Sequence, residues 1–199
     1  RYIFQFGGEL TLSPSLISTT ALLDFRKKYL SAVSKLSDQK LLITDKMPQN
    51  FLFLPLICAT LPEAKIIHVQ RDAAATCWSN YTKYFVAKDL GYCYNLRDVV
   101  TYYQLYTDLM NFWNTHYSNN IYNLDYEKLV GDQENQTRKL IKHLELEWES
   151  ACLSPQKNKR SIKTASQQQV RKKVYKGSSK DWKKYKKFLN GAFDSLKSF

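Results

Sequence analysis

The residue types with the clearest chemical potential are an arginine and a serine placed eight positions apart, Arg71 and Ser79. Arg71 follows the apolar run Ile66 to Val69, and a guanidinium carries a fork of N–H donors that matches the oxygens of a phosphate group. Asp72 is expected to cap the helix that follows, and Ser79 falls two turns into it. The spacing is compatible with a phosphate site and also with a surface ion pair and an ordinary helical serine, and it leaves both alternatives open.

Two further residues follow apolar runs in the same way. Lys46 comes after the run Leu41 to Ile43, where Pro48 ends the extended segment, and a lysine there can stabilise a transferring phosphoryl or sulfuryl group. Tyr126 follows the run Ile121 to Leu124, and its ring can pack on a nucleotide base. A solvated lysine and a core tyrosine are the alternatives that these residues leave open.

Apolar runs without strict alternation predict the strands of a parallel sheet that helices cover. The runs are Lys40 to Asp45, Ile66 to Val69 and Ile121 to Leu124. Helical periodicity predicts helices at about 16–36, 49–60, 73–86, 97–117 and 134–145, and a loop after Pro155 leads to a closing helix. The fold class is therefore α/β, and ligands of such sheets bind at the carboxyl ends of the strands.

Length and composition predict one globular domain over residues 1–199, with 44% of the residues hydrophobic, and exclude a disordered chain. The longest apolar stretch, Phe51 to Leu61, contains Pro55 and is shorter than the roughly 20 residues of a membrane helix. No membrane span is expected. The cysteines have no C-x-x-C spacing, which predicts buried thiols in a reducing, cytoplasmic location rather than a zinc site or a disulfide framework. They are Cys58, Cys77, Cys93 and Cys152.

The formal net charge of +12 arises from the C-terminal segment Lys157 to Lys187. This segment contains 13 Lys and Arg residues and a single acid, Asp181. It is typical of a solvated face, of a site for phosphorylated or sulfated ligands, or of a nucleic-acid surface with stacking from Tyr175, Trp182 and Tyr185. Charge alone leaves these alternatives open.

Four short segments carry a further pattern. They are residues 45–51 (DKMPQNF), residues 62–72 (PEAKIIHVQRD) with Ser79 after them, residues 126–130 (YEKLV), and residues 164–171 (TASQQQVR) with Val174, Tyr175, Ser178 and Trp182 after them. In order and spacing they resemble the sulfotransferases. They are most similar to bacterial sulfotransferase domains of the type attached to tetratricopeptide repeats, which are themselves similar to tyrosylprotein sulfotransferase. Matching segments span residues 7 to 189.

The resemblance implies a P-loop nucleotide hydrolase-like sulfotransferase fold. It also implies transfer of a sulfuryl group from 3′-phosphoadenosine 5′-phosphosulfate to the hydroxyl of a protein tyrosine, a saccharide or a small molecule, without a metal. Arg71 and Ser79 would bind the 3′-phosphate, and Tyr126 would contact the adenine. Lys46 would stabilise the transferring group, and Glu9, in the segment Gly7-Gly8-Glu9-Leu10, would act as general base.

The resemblance also assigns a function to the basic segment. A loop and helix at about 157–189 would close over the nucleotide. The residues expected beside the nucleotide are Ser166, Gln169, Val170, Arg171 and Lys180. The nucleotide, a hydroxyl-bearing acceptor and an attached tetratricopeptide-repeat domain are then the expected partners, and nucleic acid is not.

One part of the family pattern has no counterpart in this chain. The family carries a loop of the form Arg-Ser-Gly-Thr-Thr after its first strand, which cradles the 5′-phosphosulfate with backbone amides. The six glycines, at positions 7, 8, 91, 131, 177 and 191, stand in no such context. The loop precedes the Gly-Gly-Glu segment in the family, so the chain is expected to be an N-terminally truncated fragment. A non-catalytic nucleotide-binding module is the alternative.

Overall fold

A computed structural model describes residues 18–36, 42–85, 88–158 and 170–197. The chain divides into two compact units, Arg1–Ala64 and Lys65–Phe199. The described part of the first unit contains α1 (Thr19–Leu36), a 3₁₀ helix (Pro48–Phe53) and α2 (Leu54–Thr60). The single domain expected over residues 1–199 stays a prediction.

Arg26 joins the two α-helices of the first unit. Its guanidinium donates to the Thr60 carbonyl oxygen at 2.8 Å and to the two carboxylate oxygens of Glu63 at 2.9 and 2.6 Å. Phe25, one position earlier on α1, is buried. The amphipathic helix predicted at 16–36 is therefore confirmed from Thr19 onward, and residues 16 and 17 lie outside the described residues.

Two predictions for the first unit differ from the structure. The strand predicted at 40–45 is wrong in its described part, because residues 42–47 have no regular secondary structure and exposed side chains. No described strand pairs with this segment, since the described sheet contains two other strands. The helix predicted at 49–60 begins as a 3₁₀ helix and becomes α-helical at Leu54, where Pro55 suits the first turn because proline lacks an N–H.

The second unit contains a parallel sheet and most of the helices. Its elements are β1 (Ile66–Gln70), α3 (Ala73–Tyr81), a 3₁₀ segment (Lys88–Tyr94), α4 (Leu96–His116), β2 (Ile121–Asp125), α5 (Tyr126–Gly131), α6 (Gln133–His143), short 3₁₀ helices at Ser150–Leu153 and Pro155–Lys157, and the C-terminal 3₁₀ helix (Ser178–Phe188). β1 and β2 pair in parallel, with Ile66 opposite Ile121 and Gln70 opposite Asp125. The α/β class and the parallel sheet are confirmed.

Helix boundaries in this unit follow from caps that the sequence carries. The carboxylates of Asp72 and Asp125 accept the N–H groups of Ala75 and Lys128, so α3 and α5 begin directly after β1 and β2. The helix predicted at 73–86 is shorter than expected, because α3 ends at Tyr81. α5 was not predicted, since six residues are too few to show a helical period.

The core of the second unit lies between α3, α4 and the C-terminal segment. Ala73, Ala74 and Cys77 are small and buried, which lets α3 lie close to Val99 and Tyr103 of α4. The C-terminal segment adds Leu189 and Phe193 to this core, and Trp182 packs against it. The closing helix expected near Trp182 is confirmed in place, but it is a 3₁₀ helix.

The two faces of the sheet are covered unequally. On one face, His68 and Asn123 meet α4. On the other face, the centroid of the Tyr122 ring of β2 lies 4.6 Å from the centroid of the His143 ring of α6. Val69 of β1, on the same face, is 53% exposed. The described helices of the second unit therefore cover this second face at β2 but not at β1, whereas the apolar runs predict a covered sheet.

The four cysteines are free thiols, of which Cys77 and Cys93 are buried as predicted, whereas Cys58 and Cys152 are only partly buried. Burial, and secondarily the Asp72 carboxylate, raises the pKa of the Cys77 thiol to about 12. This thiol is therefore protonated at neutral pH and is a poor nucleophile. Among the described helices, none is long and apolar enough to cross a membrane.

A buried histidine ties the sheet to α4. His68 Nδ1 lies 2.8 Å from Asn123 Oδ1, and His68 Nε2 is hydrogen-bonded to the Tyr106 hydroxyl. Because the Asn123 amide nitrogen donates to Asn114 Oδ1 at 3.0 Å, Asn123 Oδ1 is the acceptor for a proton on Nδ1. Nε2 then accepts from Tyr106, and the imidazole is neutral. Burial lowers the pKa of His68, against a smaller opposing effect of the Asn123 hydrogen bond.

This lowered pKa predicts an acid-sensitive fold. The histidine titrates near pH 6.5 in the unfolded chain and at lower pH in the folded one, so its contribution to stability is complete above about pH 6.5 and is lost as the pH falls below that value. We expect His68→Gln to make the free energy of unfolding change less with pH between about pH 6.5 and 5. This free energy is measured by urea denaturation at each pH. His116→Gln, which changes an exposed histidine, should keep the wild-type slope. An unchanged slope in His68→Gln would contradict the assignment.

Candidate anion-binding site

The site is built where the two parallel strands end. Gln70 and Asp125 form the last register pair, so the next residues, Arg71 and Tyr126, leave the same edge of the sheet. The guanidinium carbon of Arg71 lies 5.2 Å from the centroid of the Tyr126 ring, within the range of a cation–π contact. The strand ends therefore bring a cation and an aromatic ring together.

Two serines from the far end of the chain complete the environment of Arg71. Arg71 Nε donates to Ser179 Oγ at 3.2 Å, and Arg71 Nη2 donates to Ser178 Oγ at 3.5 Å. The hydroxyls of Tyr126 and Ser178 are also 3.5 Å apart. The guanidinium thus lies among an aromatic ring and two hydroxyl groups.

The C-terminal segment brings the serines to the strand ends through its own packing. Gly177, with φ of 100°, adopts the left-handed conformation that glycine tolerates best, and the C-terminal 3₁₀ helix begins at the next residue. On this helix, the Tyr185 ring stacks on the Trp78 ring of α3 with 4.8 Å between ring centroids. The Trp182 ring makes an edge-to-face contact with Phe193, with 5.8 Å between centroids. Aromatic contacts therefore hold the helix whose first turn contacts Arg71.

Glu127 is the acidic residue of the site. Its Oε1 accepts the Ser179 hydroxyl at 2.6 Å, and its Oε2 accepts the Asp72 N–H at 3.2 Å. It forms no ion pair with Arg71: no described carboxylate lies within ion-pair distance of this guanidinium. A partly buried arginine that contacts only neutral groups favours a bound anion, because a charge removed from water needs a compensating partner.

The guanidinium keeps donors available for such an anion. An arginine has five N–H donors, and the hydrogen bonds of Arg71 with the described residues use two of them. The remaining three match a phosphate or sulfate group, which accepts several hydrogen bonds from one arginine.

Among the described residues, no group of three or more His, Cys, Asp or Glu side chains is placed to hold a metal ion.

Ser79 lies on α3 and is partly buried. Within the described residues no hydrogen bond joins it to Arg71, whose polar partners are Ser178 and Ser179. A common ligand for Arg71 and Ser79 therefore stays a prediction.

The other predicted site residues have less structural context. Lys46 is exposed in the first unit, next to Asp45, whose carboxylate accepts the Tyr29 hydroxyl at 2.8 Å. Burial, and then this hydrogen bond, raises the pKa of Tyr29. Val170, Arg171 and Lys180 are exposed in the second unit, whereas Glu9, Ser166 and Gln169 lie outside the described residues.

The sequence reasoning assigned no role to Ser178, Ser179 or Glu127. Glu127 carried a usable signal, because it directly follows the strand-end residue Tyr126. Ser178 belongs to the fourth segment of the sulfotransferase resemblance, and both serines follow Gly177, which marks a turn. Neither signal identifies Arg71 as their partner. Their hydrogen bonds to Arg71 span 107 and 108 residues, a separation that no local pattern encodes.

Comparison with known proteins finds a matching family model and a similar protein. The family model described as "Sulfotransferase family" matches residues 16–150. A protein of Aquifex aeolicus (strain VF5), named only as an uncharacterized protein, is 36% identical over 170 residues. The aligned part is 84% of this chain and 22% of that protein, so the chain spans less than a quarter of the length of this relative.

The cap of α3 gives a test of the local architecture. Asp72→Ala removes the carboxylate that accepts the Ala75 N–H at 2.7 Å, and loss of such a cap costs about 1 kcal/mol of unfolding free energy. We expect that loss in urea denaturation. The control is Asp108→Ala, which changes an exposed aspartate inside α4 and should cause no loss. Equal stability of the Asp72 variant and the wild type would reject the cap.

Proposed function

Because the chain belongs to the sulfotransferase family, we propose that it transfers a sulfuryl group from 3′-phosphoadenosine 5′-phosphosulfate to a hydroxyl group of an acceptor. The observation that carries this proposal is the environment of Arg71. Its partly buried guanidinium contacts two serine hydroxyls and a tyrosine ring and has no ion-pair partner among the described carboxylates. We infer that the missing negative charge is the 3′-phosphate of the nucleotide.

The residues at the strand ends fit this end of the nucleotide. Arg71 has three N–H donors that its serine contacts leave over. Ser79 would add a hydroxyl, and the ring of Tyr126 would pack on the adenine. The residues proposed to close over the nucleotide from the C-terminal side are Ser166, Gln169, Val170, Arg171 and Lys180.

The nucleotide supplies the activated sulfuryl group, and the protein supplies position, charge and a base. Glu9 would take the proton of the acceptor hydroxyl as the oxygen attacks, so that an alkoxide or phenoxide need not form freely in water. Lys46 would stabilise the negative charge that develops on the transferring group. Both roles come from the resemblance to the family and are part of the proposal.

The acceptor we propose is a hydroxyl of a protein tyrosine, a saccharide or a small molecule. The relative from Aquifex aeolicus is several times longer than the aligned region, which leaves room in such proteins for further domains. Tetratricopeptide repeats are the neighbouring domain that we expect in a longer protein of this type.

Binding of the nucleotide is tested with 3′-phosphoadenosine 5′-phosphate in a calorimetric titration. Arg71→Ala should weaken binding by at least tenfold, because a charge-assisted hydrogen bond contributes about 1.5–3 kcal/mol. Arg97→Ala, an exposed arginine at the start of α4, should bind like the wild type. The paired change Lys183→Ala and Lys187→Ala, which lowers the charge of the C-terminal 3₁₀ helix, should have little effect. Loss of binding in the lysine variant with retention in Arg71→Ala would refute the proposed site.

Catalysis is tested with Glu9→Gln. If Glu9 is the general base, this variant should keep its affinity for the nucleotide and lose about 10²- to 10⁴-fold in transfer rate. Transfer is measured with a radiolabelled sulfuryl donor and a panel of phenolic and saccharide acceptors. Glu149→Gln, an exposed glutamate of the second unit, serves as the charge-matched control. Unchanged turnover in Glu9→Gln would reject Glu9 as the base.

A further inference from the structure

The hydroxyl of Ser179 has one proton, and Glu127 determines where that proton goes. Ser179 Oγ donates to Glu127 Oε1 at 2.6 Å, a short distance that is typical of a hydroxyl bonded to an ionised carboxylate. Because its proton points to Glu127, Ser179 Oγ presents its lone pairs to Arg71. It therefore accepts the Arg71 Nε–H at 3.2 Å.

Glu127 also connects the three chain segments that form the site. It stands in the first turn of α5, directly after Tyr126. Its second oxygen accepts the N–H of Asp72, the capping residue of α3, at 3.2 Å. Through Ser179 it reaches the first turn of the C-terminal 3₁₀ helix. One carboxylate thus links the ends of both strands to the segment that contacts Arg71.

A carboxylate in this position has two opposing effects on an anion. Its charge repels a phosphate group bound by the neighbouring arginine, which on electrostatic grounds alone lowers the affinity. Its hydrogen bond to Ser179 instead favours the geometry in which Arg71 is held by its Nε and Nη2 and keeps its other donors available. The sign of the change when the charge is removed distinguishes the two effects.

We propose that Glu127 is a positioning residue of the anion site, which acts on Arg71 through Ser179. By accepting the Ser179 proton, Glu127 keeps Ser179 Oγ as an acceptor and holds the guanidinium in its binding orientation. The proposal rests on the proposed function, because the anion is the 3′-phosphate of the nucleotide.

The first experiment replaces Glu127 by an uncharged residue of the same shape. Glu127→Gln removes the repulsion but cannot keep both hydrogen bonds, since one of its two polar atoms becomes a donor. We expect affinity for 3′-phosphoadenosine 5′-phosphate to fall about tenfold in calorimetric titration. Glu149→Gln removes the same charge from an exposed position and should bind like the wild type. Affinity equal to or tighter than that of the wild type in Glu127→Gln would overturn the proposal.

The second experiment separates positioning from a general effect on α3. Ser179→Ala removes the group through which Glu127 acts, so the double variant Glu127→Gln with Ser179→Ala should bind no more weakly than Ser179→Ala alone. If Glu127 acts only by accepting the Asp72 N–H, a bond that does not involve Ser179, the two losses should multiply. Multiplied losses would overturn the proposal. Thermal unfolding of every variant checks that it is folded at the titration temperature.

The same titrations separate this inference from the function on which it rests. Wild-type protein that binds the nucleotide, together with a Glu127→Gln variant that binds equally well, would overturn the positioning role and leave the proposed function standing. Wild-type protein that does not bind the nucleotide would overturn both. A tenfold weaker Glu127→Gln variant, with no further loss in the double variant, supports the proposal.

Discussion

The parallel pairing of β1 with β2 determines where the side chains of the anion site lie. Parallel strands end at one edge of the sheet, and the observed register places Gln70 opposite Asp125. Arg71 and Tyr126 therefore leave the sheet side by side, with 5.2 Å between the guanidinium carbon and the centroid of the tyrosine ring. A slip of one residue would move one of them to the opposite face. A parallel pair also requires a long crossover, which in this chain includes α3 and α4, the two helices of the core.

The second constraint is the packing of the C-terminal segment on that core. Leu189 and Phe193 are buried beside α3 and α4, and Trp182 packs against them. The described basic residues between Arg171 and Lys187 are exposed, whereas Trp182, Leu189 and Phe193 take the inward positions. A segment with a strong positive charge thus becomes part of the folded unit. The first turn of its 3₁₀ helix places Ser178 and Ser179 within hydrogen-bond distance of Arg71.

The polar network at the strand ends combines an arginine that attracts an anion with a carboxylate that orders the side chains around it. Arg71 contacts hydroxyl groups rather than a carboxylate, so its charge is not neutralised within the described structure. Glu127 is close enough to contact Ser179 but forms no ion pair with Arg71. Its negative charge is compensated instead by the Ser179 hydroxyl and the Asp72 N–H. Hydrogen bonding to neutral donors lets an acid stay beside an arginine that binds anions.

Local patterns in the sequence were sufficient for β1, β2 and the start of α3, but not for α5. Branched residues in β1 and the aspartate caps after both strands act on their immediate neighbours, so the positions of Arg71 and Tyr126 could be predicted. The resemblance to the sulfotransferases, which the family comparison confirms, likewise rested on short motifs. The strand predicted at 40–45 was wrong in its described residues, 42–45, because a strand forms only where a neighbouring strand pairs with it, and that is not a local property.

Only the tertiary structure decided what Arg71 contacts. Ser178 and Ser179 lie 107 and 108 residues away from it, and they reach it because Trp182, Leu189 and Phe193 pack on the core. The sequence predicts by helical spacing that Ser79 shares a phosphate ligand with Arg71, and this stays a prediction. It did not indicate that two distant serines lie against the guanidinium. A local pattern determines which element a residue belongs to. The partner of a polar side chain depends on which elements the burial of apolar surface brings together.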